Sequence, residues 1–264
     1  MNISIVGFCL GLLLLIIPIY ILQLYKVNFL YKILRATLKM LIFLGLTGVC
    51  LYFVFQWNNI WVNVLWILLM MVAGTIVTTM KAKLNIARHL LPVGVGVLSS
   101  ALIVGVYFLL ISFGMKNTID TRYLVPIFGL LIGGIVETNA QSLRTYYMGL
   151  KYHGKLYYYL LGNGATQREA LRYFEKRALE QVSIPCISKM ALIMMGYTPI
   201  VMWSMLIGGS DVLTAVGLQI MVLIAVFCAS VISIVVTLRV ASKLSIDKYG
   251  KLKMNHPEQE SVEV

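Results

Sequence analysis

The sequence predicts an all-α, polytopic membrane protein with about seven transmembrane helices and a cytoplasmic amphipathic helix. Hydrophobic residues make up 60% of the 264 residues and charged residues only 12%, with a mean hydropathy of +0.88. A soluble domain is about one half apolar and about one quarter charged, so this composition excludes an ordinary soluble fold. The apolar residues also gather in runs of about 20, the length that a helix needs to cross the hydrocarbon core of a bilayer.

Seven apolar runs predict the membrane spans. The first run has no basic segment before it and no cleavage site after it, so we expect a retained span rather than a signal peptide. The sixth run is the most polar, because it contains Lys189 and Pro199. The predicted spans cover about residues 3–25, 38–55, 60–80, 90–113, 123–143, 187–208 and 212–238.

The distribution of Lys and Arg predicts the orientation of these spans. Basic residues exceed acidic ones by 22 to 10, and 20 of the 22 fall on alternate connections. Cytoplasmic connections carry the excess of Lys and Arg, so we expect the amino terminus outside and the carboxyl terminus in the cytoplasm of a multi-pass cell-membrane protein. The orientation of the spans therefore explains the excess of basic residues, and we expect no nucleic-acid partner. The same excess of basic residues indicates contact with membrane lipid.

The domain organisation that we expect is one transmembrane permease domain, residues 1–254, followed by a short tail. The tail, 255–264, carries Glu258, Glu260 and Glu263 without an apolar period, which predicts a disordered cytoplasmic end. The longest cytoplasmic connection, about 144–186, has the composition of a folded segment.

A helix begins within this long connection. Thr166 and Glu169 have the spacing of a capping box, and Gly164 supplies a turn just before them. Pro185 is the expected end of the helix. A helix lying in the lipid interface is the alternative, against which its glutamates count, since anionic lipid repels carboxylates. One apolar stripe recurs at spacings of three and four residues: Leu171, Phe174, Ala178 and Val182.

Glu137 is the carboxylate that lies deep within a predicted span. An ionisable group there costs about 3 kcal/mol unless it faces a partner or a polar interior. Gly129 and Gly133 share its helix face, which indicates close packing or the lining of a path. An ion pair with Arg144 is the structural alternative. Asn139 lies on another face, where its amide can hydrogen-bond across a helix interface.

Catalytic motifs are not supported by the sequence. The phosphate-loop spacing from Gly149 to Lys155 is followed by Leu156, where a Ser or Thr is needed to bind Mg²⁺. The three histidines are not paired with an acid or a cysteine at helical spacing, so the sequence assigns no zinc site, no catalytic triad and no metal ligand. We therefore expect a protein that is not an enzyme.

Residues 161–170, Leu-Gly-Asn-Gly-Ala-Thr-Gln-Arg-Glu-Ala, resemble the cytoplasmic helix of the FetB-type ABC transporter permeases. That family contains bacterial iron-export permeases and plant aluminium-tolerance proteins. The resemblance covers about residues 120–240, including Pro126 to Gly134, Pro185 and Gln219. The chain departs from the family pattern at Glu137, in the spacing of Lys189 from Pro185, and around Pro199, where two glycines are missing.

The resemblance implies a permease subunit that pairs with a separate cytoplasmic ABC ATPase, as two permeases and two ATPases. It implies export of iron or another metal ion, with ATP and Mg²⁺ on the partner and no cofactor in this chain. The coupling residues implied are Gly164, Thr166, Glu169, Leu171, Phe174 and Ala178, with Phe174 as the anchor in a groove of the ATPase. The pathway residues expected are Glu137, Asn139, Gly129, Gly133 and Pro199.

Two alternatives belong to other functional classes. One is a secondary transporter or channel that needs no ATPase and uses Glu137 to carry protons or cations. The other is a regulatory membrane subunit without a pathway of its own. A cytoplasmic ATPase that binds the chain would distinguish the ABC permease from both of these alternatives.

Overall fold

The computed structural model describes residues 10–26, 29–117 and 120–245. Within these ranges the chain is helical, and its β-structure is limited to an isolated bridge between Ile193 and Tyr197. The predicted disordered tail, 255–264, lies outside the described residues.

Nine helices are described, and they fall into two compact units that meet in the chain at Asn58 and Asn59. The first unit contains α1 (Ile16–Leu24) and α2 (Leu30–Trp57). The second contains α3 (Ile60–Lys81), α4 (Ile86–Asn117), α5 (Thr121–Tyr152), α6 (Gly154–Gly162), α7 (Gln167–Ala191), α8 (Ile200–Ile207) and α9 (Val212–Ser245).

Five of the described helices are long and apolar enough to cross a membrane: α2, α3, α4, α5 and α9. They correspond to the second, third, fourth, fifth and seventh predicted spans. The first predicted span contains a shorter apolar helix, Leu10–Leu24, among the described residues. The prediction of an all-α, polytopic membrane protein is confirmed.

The sixth predicted span, 187–208, is not one helix. Helix α7 ends at Ala191, and α8 has only eight residues. Between them Met194 adopts φ 74°, and its N–H donates to the Tyr197 carbonyl at 2.9 Å, which closes a tight turn. Pro199 then caps the start of α8 rather than kinking a continuous helix. Proline has no N–H to continue the helical ladder, so the chain restarts a helix there.

Pro185 does not end α7, contrary to the prediction. The helix continues through it for six further residues, to Ala191. Proline removes one backbone hydrogen bond, and contacts on both sides keep the helix continuous. Val182 before it is buried, and Lys189 after it forms an ion pair with α5.

The core of the second unit lies between α3, α4, α5 and α9, and α7 packs against α5 and α9. Two glycines allow the closest approaches to α9. A methyl group at Gly96 of α4 would overlap the Thr237 hydroxyl, and one at Gly134 of α5 would overlap Val226. A larger residue at either position would force these helices apart. Helix α8 is tied to α9 by the Met202 N–H, which donates to Gln219 Oε1 at 3.1 Å.

Candidate transport pathway and coupling helix

The start of α7 has the predicted capping box. The Thr166 backbone N–H donates to Glu169 Oε2 at 2.8 Å, and the Glu169 N–H donates to Thr166 Oγ1 at 3.3 Å. Gly164 precedes the cap with φ +86°, a conformation that favours glycine. The backbone and hydroxyl hydrogen bonds from Thr166 hold the pKa of the Glu169 carboxyl below its usual range. The helix therefore begins at a fixed point rather than fraying.

The apolar stripe of α7 is buried within the chain itself. Phe174 is 2% exposed, and its ring lies against the α5 backbone at Gly149, where an added Cβ would be 3.2 Å from Phe174 Cδ1. Phe174 is therefore not available as an anchor in a partner's groove, because α5 already covers it. The other members of the stripe are also buried: Leu171, Ala178 and Val182.

Outside the apolar stripe α7 is exposed and carries charges of both signs, and Lys176 Nζ lies 3.7 Å from Glu180 Oε1. Arg168, Arg172 and Lys176 recur every four residues and so share one face, which we call the basic face. On another side of α7 a cleft of about 210 Å³ opens between this helix and the last turns of α5. Tyr152 lines this cleft from α5, and Arg177 lines it from α7. These surfaces, rather than the apolar stripe, are the ones that α7 can offer to another protein.

Glu137 pairs with Lys189 of α7, and not with Arg144. The Glu137 Oε2 and Lys189 Nζ atoms are 4.0 Å apart, and the two side chains are 70% and 46% exposed. Lys189 Nζ also lies 6.0 Å from the centre of the Tyr197 ring, within range of a cation–π contact. The sequence reasoning missed this pair because Lys189 looked like a polar interruption of the sixth span. The signal in the sequence was one acid and one base, Glu137 and Lys189, each within a predicted span.

The glycine face of α5 is only partly packed. Gly129 lies close to Met70 of α3, where an added Cβ would be 3.5 Å from the Met70 methyl carbon. Gly133 is open, since a Cβ there would meet no described atom within 4 Å. The small-residue surface from Gly133 to Glu137 is therefore uncovered in the part of the chain that the structure describes.

Asn139 makes the predicted hydrogen bond across a helix interface. Its Nδ2 donates to Ser233 Oγ of α9 at 2.7 Å, and both side chains are buried. Pro199 lies apart from this contact, at the start of α8. The structure thus distributes the predicted pathway residues over different surfaces. Within the described residues no group of three or more His, Cys, Asp or Glu side chains could hold a metal ion.

The architecture combines long apolar helices with one capped amphipathic helix, α7. The profile of the uncharacterised protein family UPF0014 matches residues 5–245. The chain belongs to this family. It is the FetB-type permease family that residues 161–170 resemble, and the chain is a membrane transport permease.

A plant relative gives a second point of comparison for this UPF0014 permease. Protein ALUMINUM SENSITIVE 3 of Arabidopsis thaliana is 27% identical over 204 residues, which cover 77% of this chain and 71% of the plant protein. No solved structure matches the chain.

Proposed function

We propose that this UPF0014 permease is the membrane subunit of an ABC exporter whose substrate is iron or another metal ion. ATP and Mg²⁺ bind to a separate cytoplasmic ATPase, and the permease itself does no catalysis. The family resemblance supports the class of transporter, the direction of transport and the substrate. The geometry of α7 supports the coupling between the two subunits.

The observation that carries the proposal is the continuity of α7. Its 25 residues form a rod about 37 Å long. The rod begins at the capping box of Thr166 and reaches Lys189, which pairs with Glu137 in a predicted membrane span. One rigid element therefore links a cytoplasmic surface to an ion pair at membrane depth.

Movement of α7 along α5 is the step that we expect ATP to drive. Packed helices slide past one another in small shear motions between discrete arrangements. A shift of the capped end would move Lys189 away from Glu137 and free both charges. The ion pair thus acts as a latch that holds α7 in the arrangement described here.

The ATPase contacts α7 through the basic face. Arg168, Arg172 and Lys176 are exposed, and complementary charge guides association and orientation between proteins. We therefore expect an acidic surface on the ATPase. The cleft of about 210 Å³ beside Tyr173 and Arg177 can receive a side chain from a partner that also reaches this side of α7.

A second copy of the permease covers the open glycine face of α5. Gly133 allows close approach of another helix, and the exposed Glu137 carboxylate is costly if it faces lipid, by about 3 kcal/mol. A homodimer places protein against this surface. With two ATPases it forms the expected assembly of two permeases and two ATPases.

One observation favours a second candidate function. The Glu137–Lys189 pair is an acid and a base at membrane depth with exposed side chains, an arrangement that proton-coupled or cation-coupled carriers also use. In that alternative the chain is a secondary transporter or channel, and no ATPase takes part.

Co-purification tests the coupling surface. Affinity-tagged permease is expressed with the candidate ATPase from a neighbouring gene, and the ATPase recovered per permease is measured. Reversal of two charges in Arg168→Glu with Arg172→Glu should lower recovery by tenfold or more, roughly the loss of 1.4 kcal/mol.

The matched control is Lys81→Glu with Lys83→Glu, which reverses the same charge on another exposed connection. Recovery with this control should equal that of the wild type. Recovery that is unchanged by the Arg168 and Arg172 substitutions would reject the basic face as the docking surface. No recovery with wild-type permease would favour the secondary transporter.

A further inference from the structure

We propose that the buried faces of α5 and α9 line the translocation pathway inside a single permease, and that they bind a hard metal cation which keeps part of its water shell. The inference rests on the proposed transport function and gives its pathway a place in the fold. Six residues make up the lining, which we call the polar seam: Asn139 and Ser142 on α5, Ser230, Ser233 and Thr237 on α9, and Tyr146 at the end of the α5 stripe, near Tyr157 of α6 and Glu175 of α7.

The polar seam consists of two matching stripes. On each helix the residues follow one another at spacings of three and then four, so each stripe occupies an arc of about 60° on its helix. The stripes meet where Asn139 Nδ2 donates to Ser233 Oγ at 2.7 Å. Further along α9, Thr237 contacts α4 at Gly96. The seam is therefore enclosed by three of the longest apolar helices.

Every member of the polar seam is buried, with an exposed fraction of at most 1%. Among the described residues, five of its six side chains nevertheless carry an oxygen without a hydrogen-bond partner. These atoms are Asn139 Oδ1, Ser142 Oγ, Tyr146 Oη, Ser230 Oγ and Thr237 Oγ1. Buried polar groups in native proteins are usually paired, and leaving one unpaired costs free energy. Five along one pair of helix stripes require an explanation.

Two other buried hydroxyls, in α4 and α5, do satisfy themselves locally. Thr138 of α5 donates to the Gly134 carbonyl at 3.0 Å, and Ser100 of α4 donates to the Gly96 carbonyl at 2.7 Å. Ser142, Ser230 and Thr237 are helical residues of the same kind, yet they do not make this bond. Their oxygens therefore remain available to bind water or the transported ion, both of which the closed packing of the helices excludes. Separation of α5 from α9 during transport would expose them to water and to the cargo.

The chemistry of the seam indicates what passes through it. Hydroxyl and amide oxygens are ligands for hard cations, which also keep water ligands, and not for soft cations such as Cu(I). The seam carries no formal charge, so it binds weakly enough to release an ion to the next position. Glu137 lies about 160° around α5 from Asn139, so the latch and the lining use opposite sides of one helix.

Removal of seam hydroxyls gives a test that separates this role from a structural one. Ser142→Ala and Ser230→Ala each delete an unpaired buried oxygen, so the melting temperature should stay the same or rise. ATP-driven Fe²⁺ transport in vesicles that contain the permease and its ATPase should fall by about tenfold for each variant. Ser100→Ala is the matched control, because Ser100 is equally buried but paired, and its transport should stay at the wild-type rate.

If wild-type permease and ATPase transport neither Fe²⁺ nor Mn²⁺ nor Zn²⁺ with ATP, the proposed function fails and the seam fails with it. If the wild type transports and the two alanine variants transport equally well, or lose transport only in proportion to a lowered melting temperature, the seam alone is rejected. A second measurement uses Ser142→Cys in a chain without its native cysteines. A water-soluble thiol reagent should label this cysteine during ATP hydrolysis and not before, and labelling in neither state overturns the proposal.

Discussion

Glu137 is the residue whose substitution tests the latch most directly. Glu137→Gln keeps nearly the same volume but removes the carboxylate that pairs with Lys189 at 4.0 Å. We expect transport to fall far more than the amount of folded, membrane-inserted protein, because loss of this charge uncouples α7 from α5. Transport in vesicles and the yield of monodisperse protein measure the two effects.

Arg144→Gln serves as the control for this substitution, since Arg144 lies on the same helix and Glu137 pairs with Lys189 instead. It should transport at nearly the wild-type rate. The charge swap Glu137→Lys with Lys189→Glu should restore part of the activity. Normal transport by Glu137→Gln, or a defect confined to the yield of folded protein, would show that the pair is dispensable or merely structural.

Glu169 makes the start of α7 sensitive to acid. Hydrogen bonds from Thr166 lower the pKa of this carboxyl below its usual value of about 4.5. The stabilisation is therefore present above that value and is lost as the pH falls through the lowered pKa. A nitroxide label at Arg168→Cys should become more mobile only below about pH 4.5.

Thr166→Ala provides the comparison, since loss of a cap costs about 1 kcal/mol. In that variant the label should already be mobile at neutral pH. A label at Tyr173→Cys, two turns into the helix, should show neither change. A spectrum at Arg168→Cys that is constant from neutral pH to acid would contradict the capping account.

The residues that the sequence identified are those whose signal is local. Thr166 and Glu169 are three positions apart, and the capping box follows from that spacing alone. The Glu137–Lys189 pair joins residues 52 positions apart on two helices, and nothing in either neighbourhood specifies the other. Asn139 was expected to bond across an interface, whereas its partner, Ser233, could be named only from the packing of α5 on α9.

In helix α7, the burial of Phe174 predicts that its removal will lower the stability of the permease rather than the binding of the ATPase. Phe174→Ala removes a ring that is 2% exposed and packed on α5 at Gly149. The cavity should cost about 3–5 kcal/mol. Thermal unfolding of the purified permease should therefore shift to clearly lower temperature.

Tyr173→Ala is the control within the same turn of α7, because Tyr173 is 44% exposed. Its effect on stability should be small, about 0.5 kcal/mol, as for most surface positions. Phe174→Ala protein that unfolds like the wild type but no longer retains the ATPase would mean that Phe174 is the partner's anchor after all.

Helix periodicity predicted which residues of α7 share a face, and that part was right. Periodicity does not show what packs against a face. The apolar stripe of α7 packs against α5 and not against another protein. The sixth predicted span failed for a related reason. Hydropathy averages over a run of residues, but Met194 at φ 74° and Pro199 at the start of α8 are backbone features that such an average does not register.

For the whole molecule, the distribution of basic residues predicts the topology. Residues 144–186 should lie in the cytoplasm, because 20 of 22 basic residues would otherwise be on the wrong side. In a chain without native cysteines, a membrane-impermeant thiol reagent should not label Asn163→Cys in intact cells. It should label Ser210→Cys, in the connection between α8 and α9, which the same rule places outside.

Both cysteines should react after the membrane is permeabilised, which controls for access at each site. Labelling of Asn163→Cys in intact cells would reverse the topology. The coupling role of α7 would fall with it, because an ATPase in the cytoplasm could not reach the basic face.

The central claim is that a cytoplasmic ATPase drives transport through this permease. Its most direct test is Fe²⁺ movement in vesicles that contain the purified permease and the purified ATPase, with the ATPase exposed to added ATP. The account predicts Fe²⁺ transport that requires ATP, stops with an ATPase variant unable to hydrolyse it, and is absent from vesicles that lack either protein. Fe²⁺ transport by the permease alone, at the same rate without ATP, would contradict the account and establish the secondary transporter in its place.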